Sequence, residues 1–332
     1  MTSPSRSPDA DPVPVILLTG VLGAGKTTLL NDELSGALPD TLVIVNEFGE
    51  VGLDHHLVEA AADTVELLEN GCACCSSLGD LASTLVHIGS RRRLGALKSV
   101  RRIVVETSGI ADPAPLAATL CTPLMREAGF ALDAIITVAD ALYGATHLDD
   151  RPEARRQVAM ADALILTKTD IAAPEAVGTL EAAIRRLNSA APILRKTTGA
   201  PLLGKAIGRA ARRESAAPDA ALHQHGHHQH IATTTLRRSE PVPWTAFADW
   251  LSAVVSLRGD AILRVKGLVN CRETDRPVLI QGVHHWLDAP RVLGHGPGAP
   301  ETGLTFITSG DGPTDFGPSL ECALAGARQL RN

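Results

Sequence analysis

Three glycines, a lysine and two threonines in Gly20-Val21-Leu22-Gly23-Ala24-Gly25-Lys26-Thr27-Thr28 match the spacing G-x-x-x-x-G-K-[ST]. Such a loop suits phosphate, because glycine lets backbone N–H groups close on the oxygens where a Cβ would block them. On this reading Gly20, Leu22, Gly23, Ala24 and Gly25 form the cradle, and a helix opening at Lys26 adds its positive end beneath Thr27 and Thr28. Lys26 is then expected to reach the β- and γ-phosphates, and the Thr27 hydroxyl to hold Mg²⁺. Further along, Glu106-Thr107-Ser108-Gly109 sets a carboxylate three residues before a glycine, as at a Walker B position. Such a carboxylate acts on Mg²⁺ or its waters, so Lys26 and Glu106 are the expected catalytic pair.

Thr167-Lys168-Thr169-Asp170 resembles the base-reading pattern N-K-x-D, with threonine where asparagine is usual. An aspartate at Asp170 accepts from guanine N1–H and N2–H₂, which adenine cannot supply, and the Lys168 stem lies along the base. Guanine is therefore expected over adenine, while Thr167 weakens one supporting contact.

Cys72, Cys74 and Cys75 crowd within Gly71-Cys72-Ala73-Cys74-Cys75. Three thiolates so close suit a soft metal ion such as tetrahedral Zn²⁺. No fourth cysteine or histidine at regular spacing closes the shell, so a carboxylate such as Glu47, or solvent, is expected to complete it. Cys72 and Cys75 also satisfy the C-x-x-C spacing of a redox dithiol, but that motif belongs at a helix start after a first strand. Cys121, Cys271 and Cys322 stand alone. His223, His225, His227, His228 and His230 put five of the twelve histidines into eight residues. Such a tract cannot pack a core, but its imidazoles can capture Zn²⁺, Ni²⁺ or Co²⁺; an inert linker is the alternative.

These groups need elements to carry them. Branched apolar runs at 13–18, 41–45, 64–68, 100–105, 134–138, 163–166 and 192–196 read as strands. Helical spacing follows several of them: after Lys26, over 78–88, from Asp112-Pro113, near 152–160 and over 202–212. That alternation predicts a mostly parallel sheet covered on both faces, with loop ends gathered at the strands' carboxyl edge. The loop Asn46-Glu47-Phe48-Gly49-Glu50-Val51-Gly52-Leu53-Asp54 belongs at that edge. The fold class is thus α/β, with a domain over 13–214, a His-rich linker over 215–230 and a smaller α+β domain over 231–332. In that domain strands are expected at 233–237, 261–269, 278–286 and 305–307, and helices at 244–257 and 319–330. Its three tryptophans read as core or domain contacts.

At 332 residues, 45% apolar and 20% charged, the chain has ample interior for two domains. A net charge of −6 argues against a general nucleic-acid binder. No apolar run is long enough to span a membrane. Residues 1–12 are polar and lack a hydrophobic signal region, which reads as a disordered tail of a cytoplasmic protein.

Taken together, G-V-L-G-A-G-K-T-T, N-E-F-G-E-V-G-L-D, E-N-G-C-A-C-C, E-T-S-G-I-A-D-P, T-K-T-D and the histidine tract resemble, in this order, the CobW-type GTP-dependent metallochaperones, relatives of HypB and UreG. The run from R-V-K-G-L-V-N to Q-G-V-H-H-W resembles that family's C-terminal domain. The resemblance implies slow GTP hydrolysis with Mg²⁺, transition-metal binding at the C-x-C-C motif, and delivery of zinc, or cobalt in some branches, to a client protein. It also implies a switch in which GTP orders the Glu47–Asp54 loop and the cysteine turn, and hydrolysis loosens both. No glutamine or arginine finger stands out, so low turnover is expected. A cobalt chaperone for cobalamin biosynthesis, a phosphate-loop small-molecule kinase and a nucleotide-gated zinc sensor without a client remain as alternatives, and monomer and homo-oligomer are both open.

Overall fold

The structure, a computed structural model, describes residues 12–34, 40–46, 65–67, 77–95, 97, 99–197, 201–214, 231–293, 301–310 and 316–329. The chain divides into two compact units, with the boundary in the sequence between Ala211 and Arg212.

The first unit is built on a seven-stranded parallel sheet: β1 (Val13–Thr19), β2 (Thr41–Asn46), β3 (Val65–Leu67), β4 (Arg102–Thr107), β5 (Phe130–Asp140), β6 (Ala163–Thr167) and β7 (Ile193–Arg195), in the order β3-β2-β4-β1-β5-β6-β7. β1 takes the centre because Val15, Ile16, Leu17 and Leu18 are all fully buried, as a strand covered on both faces requires. The helices are α1 (Lys26–Leu34), α2 (Ser77–Arg93), α3 (Pro113–Leu120), α4 (Pro123–Glu127), α5 (Gly144–Asp150), α6 (Pro152–Met160), α7 (Pro174–Leu187) and α8 (Leu203–Glu214). Proline opens α3, α4, α6 and α7, where its fixed φ suits the first turn and its missing N–H costs nothing. Asp112 caps α3 as the sequence suggests, its carboxylate accepting from the Ala114 amide at 3.0 Å.

Three differences from the sequence reading have physical causes. β5 runs eleven residues rather than five, because it pairs with β1 from Val13 to Thr19 across a register shift. α2 extends to Arg93, its basic last turn facing the helix's negative end. α7 was not anticipated, although Val177, Leu180 and Ile184 are spaced for one helical face and are buried.

The second unit is an antiparallel sheet of β8 (Ile231–Arg238), β9 (Ile262–Val269), β10 (Val278–Val283), β11 (Trp286–Leu287), β12 (Arg291–Val292) and β13 (Thr302–Ser309), ordered β11-β10-β9-β13-β8 with β12 also on β10. Helices α9 (Trp244–Arg258) and α10 (Gly317–Gln329) close one face over Leu236, Val265, Ile280, Leu304 and Phe306. The Phe306 and Phe316 rings stack at 4.1 Å, and Trp250 meets Phe306 edge-on at 6.3 Å. The strand expected at 278–286 instead turns back at His284-His285, since Val283 pairs with Trp286. His284 takes φ +52°, and its ring nitrogen lies 3.2 Å from the Gly259 carbonyl, which pins the turn. Trp244 and Trp250 are core residues as expected, whereas Trp286 stays 45% exposed because it sits beyond that turn. Cys121 and Cys271 are buried and Cys322 is exposed. Burial, with Glu273 nearby, pushes the Cys271 thiol up to about 12, so it stays protonated and inert at neutral pH.

A candidate phosphate and base site at the sheet's carboxyl edge

In a parallel sheet all strands end on the same side, so β1, β4, β5 and β6 bring their last residues to one edge. Registers fix this alignment, with Leu18 beside Glu106, Thr19 beside Thr137 and Asp140 beside Thr167. The first loop leaves β1 at Gly20, whose φ of +144° and 2.2 Å clearance from the Val138 carbonyl exclude any side chain. Gly23 and Gly25 also take positive φ, and nothing lies within 4 Å of where a Gly23 Cβ would stand. A bare, backbone-lined hollow at the start of α1 is the shape an anion needs.

Lys26 is buried, and its Nζ donates to the Gly20 carbonyl at 2.8 Å and to Val21 at 3.4 Å. The Thr27 hydroxyl donates to Glu106 Oε1 at 2.9 Å across 79 residues of sequence. A hydroxyl and a carboxylate so close form a hard oxygen donor set that fits Mg²⁺. Beside them the Thr107 hydroxyl donates to that of Thr19 at 3.0 Å, tying β4 to β1 beneath the loop. Thr28 is exposed on α1.

On the other flank the Thr167 hydroxyl donates to the Ala24 carbonyl at 2.7 Å. The threonine that departs from the usual asparagine thus still ties the end of β6 to the glycine-rich loop. Lys168 adopts φ +57°, and its Nζ lies 2.5 Å from Asp140 Oδ2. Asp140 is almost fully buried and also accepts from the Leu142 amide at 2.7 Å, so its carboxylate is fixed from two sides. Asp170 is exposed at the same edge. The Thr169 hydroxyl donates to the Lys196 carbonyl at 2.8 Å, and the Lys196 ammonium pairs with Asp32 on α1. Burial, then Arg151, lowers the His147 pKa against the opposing pull of Asp140 and Asp150, leaving the ring neutral at pH 7.

The fold therefore brings Lys26, Thr27, Glu106, Thr167, Lys168 and Asp170 to one edge. Glu47, Cys72, Cys74, Cys75 and the histidines from His223 to His230 lie outside the described residues. Among the described residues no group of three or more His, Cys, Asp or Glu side chains could hold a metal ion. Asp140 was missed in the sequence, because Val138-Ala139-Asp140 reads only as a strand end and its partner Lys168 lies 28 residues away.

Strand order, hollow and donor set define a phosphate-loop α/β protein. The match to known families goes further: residues 14–195 fit the model "CobW/HypB/UreG, nucleotide-binding domain" and residues 231–316 the model "Cobalamin synthesis protein cobW C-terminal domain". The chain belongs to the CobW/HypB/UreG family of nucleotide-binding proteins. It is 30% identical over 302 residues to the zinc chaperone YjiA of Escherichia coli, covering 90% of this chain and 94% of that one. It is 32% identical to the zinc chaperone CobW of Pseudomonas aeruginosa, covering 82% and 80%. A crystal structure of a zinc-bound triple mutant of the YjiA GTPase superposes with a TM-score of 0.66 at 26% identity, covering 96% of this chain and 99% of that one. Among the described residues no helix is long and apolar enough to cross a membrane.

Proposed function

We propose that this chain is a GTP-hydrolysing metallochaperone that captures zinc and passes it to a client protein under nucleotide control. The observation that carries the nucleotide half is the Thr27–Glu106 contact beside Lys26 at the mouth of the phosphate loop. Family membership and the zinc chaperones among its relatives support the metal half.

Lys26 exchanges the Gly20 and Val21 carbonyls for phosphate oxygens when GTP binds, a short swing for a flexible stem. Thr27 and Glu106 would hold Mg²⁺, which would supply positive charge against the β- and γ-phosphates. The backbone amides of 20–25 orient the phosphates, and Lys26 stabilises charge that grows toward the leaving oxygen. Asp170 accepts from the guanine edge, Thr167 holds its strand on the loop, and Asp140 keeps Lys168 in place beside the base. Cys72, Cys74 and Cys75 with Glu47 receive the zinc, and the histidines His223, His225, His227, His228 and His230 gather it first. The protein works in the cytoplasm and hands its metal to a client protein.

The test is zinc affinity measured by competition with a chromophoric chelator, in a GTP analogue and in GDP. Linkage requires that metal and GTP tighten each other equally, with couplings of about 5- to 150-fold. Tighter zinc binding in the GTP-analogue state supports the chaperone. Identical affinities, with zinc clearly at the cysteines, reject nucleotide control and leave a static zinc site. Equal affinity of the native protein for GTP and ATP rejects the guanine reading.

A further inference from the structure

Gln157 sits in the middle of α6, 1% exposed, where an apolar residue would be expected. Its side-chain amide donates to the Ala111 carbonyl at 3.0 Å and to the Gly109 carbonyl at 3.5 Å. Its own backbone carbonyl accepts from the Thr137 hydroxyl at 2.7 Å, so α6 is fastened to β5 at the same residue. One position earlier, Arg156 pairs with Asp112 at 2.7 Å, closing the same loop from its far end. Two consecutive residues of one helix therefore clasp the stretch Gly109–Asp112.

That stretch lies directly on the phosphate loop. A Cβ on Gly109 would stand 2.3 Å from the Leu22 amide nitrogen and 2.6 Å from the Leu22 Cα. Such an approach permits only glycine, and it means that a small shift of the 109–112 backbone must move Leu22 or lose contact with it. The same loop begins at Glu106, which holds Thr27. In a trans peptide the N–H points opposite the C=O. Holding the Gly109 and Ala111 carbonyls toward α6 therefore fixes the Ile110 and Asp112 amides away from it. A buried amide that spans two carbonyls holds both in place, since removing it leaves each carbonyl without that donor.

We infer that Gln157 is a positioning residue for hydrolysis, holding the Gly109–Asp112 loop in the arrangement that distinguishes a nucleoside triphosphate from a diphosphate. It touches neither nucleotide nor metal; it acts through the loop that rests on Leu22. The inference rests on the GTPase reading above and deepens it, by placing the read-out of the terminal phosphate under the control of α6. Because α6 leads through Ala161 and Asp162 into β6 and Thr167, neighbouring segments of the chain then serve the terminal phosphate and the base.

The experiment compares native protein, Gln157→Met, Gln157→Glu and Thr137→Val. Methionine keeps the volume and removes both donors; glutamate keeps the shape and turns an acceptor toward the two carbonyls. Thr137→Val loosens α6 from β5 while leaving the Gln157 amide intact, so it reports the loss of stability alone. Fluorescent GDP and a fluorescent non-hydrolysable GTP analogue are titrated into each, and GTP turnover is followed by phosphate release. Both Gln157 variants are expected to keep GDP affinity within threefold while losing about 5- to 30-fold in analogue affinity, on the scale of two hydrogen bonds, with kcat falling at least tenfold. Thr137→Val is expected to lower Tm yet keep the ratio of the two affinities. A Gln157→Met protein with the native ratio overturns the inference, as does a parallel fall in both affinities matched by Thr137→Val. If the native protein turns over no GTP, the proposed function falls, while the ratio of analogue to GDP affinity still decides the role of Gln157.

Discussion

The two units solve the same packing problem with sheets of opposite kind, and among the described residues the parallel one gathers polar groups at a single edge. In the parallel sheet every strand ends on one side, and the last residues of β1, β4, β5 and β6 are polar and buried: Thr19, Glu106, Thr107, Asp140 and Thr167. Each of them finds a partner from another strand or from the phosphate loop. In the antiparallel sheet successive strands end on opposite sides, so their last residues do not converge on one edge. Its interior is instead an aromatic cluster of Trp244, Phe247, Trp250, Phe306 and Phe316. Polar convergence gives chemistry and costs packing; aromatic packing gives stability without a reactive edge.

The sharpest way to break this comparison is to remove one group from each unit. Lys26→Ala should lower GTP turnover more than about a hundredfold, the scale of one preorganised electrostatic contact. It should leave Tm near native, because the Lys26 ammonium donates to the Gly20 and Val21 carbonyls of a surface loop, and losing it removes no core packing. Phe306→Ala should cost about 3–5 kcal/mol by urea denaturation, with GTP affinity unchanged while the protein stays folded. If Lys26→Ala unfolds the chain, or if Phe306→Ala abolishes nucleotide binding in folded protein, the division of labour is wrong.

A smaller effect comes from Gly20→Ala. The new methyl must move the Val138 carbonyl or the loop, and φ +144° is unfavourable for alanine. A loss of about 1–3 kcal/mol is expected, with weaker phosphate binding in the same titration. Gly310→Ala in the second unit shares a positive φ but meets nothing within 4 Å, so it should strain only its own turn and spare the nucleotide.

Asp140→Asn should weaken GTP by about five- to tenfold, roughly 1–1.4 kcal/mol, because Lys168 loses its charged partner but keeps a hydrogen-bond acceptor. The loss should be larger for GTP than for free triphosphate if Lys168 serves the base, and isothermal titration with both ligands separates the two.

The smallest effect is a surface one. The Arg195 hydrogen bond, then Arg195's charge, holds the Glu181 carboxyl below its ordinary value of 4.5. A depressed folded pKa means stabilisation present in full above the unfolded value and lost as pH falls through the folded one. Glu181→Gln should therefore narrow the Tm gap between pH 7 and pH 4 only slightly, since the pair is exposed and screened. A large change would mean that this edge of the sheet is more tightly coupled to the core than its exposure suggests.

Sequence by itself determined the glycine-rich loop, the acidic end of β4, the T-K-T-D tetrapeptide after the next-to-last strand of the first unit and the alternation that makes a parallel sheet. Each is local: a glycine spacing, a strand of branched residues, a proline at a helix start. It also placed Asp112 as the α3 cap, because cap and helix are neighbours in the chain. What it could not show are partners brought close by folding. Thr167 looked like a weakened asparagine until its hydroxyl met Ala24, 143 residues away. Asp140 and Gln157 carry no motif; their meaning lies in Lys168, and in Gly109 and Ala111, each reached across a strand or a helix. The one signal for Gln157 was a polar residue three positions from each of the buried Ala154 and Met160, on a helical face that should have been apolar. The turn at His284-His285 was hidden for a related reason, since one long strand over 278–286 and a hairpin there differ only in which residues pair. Local chemistry is written along the chain, but hydrogen-bond complementarity between distant segments exists only once packing has fixed their distance and angle.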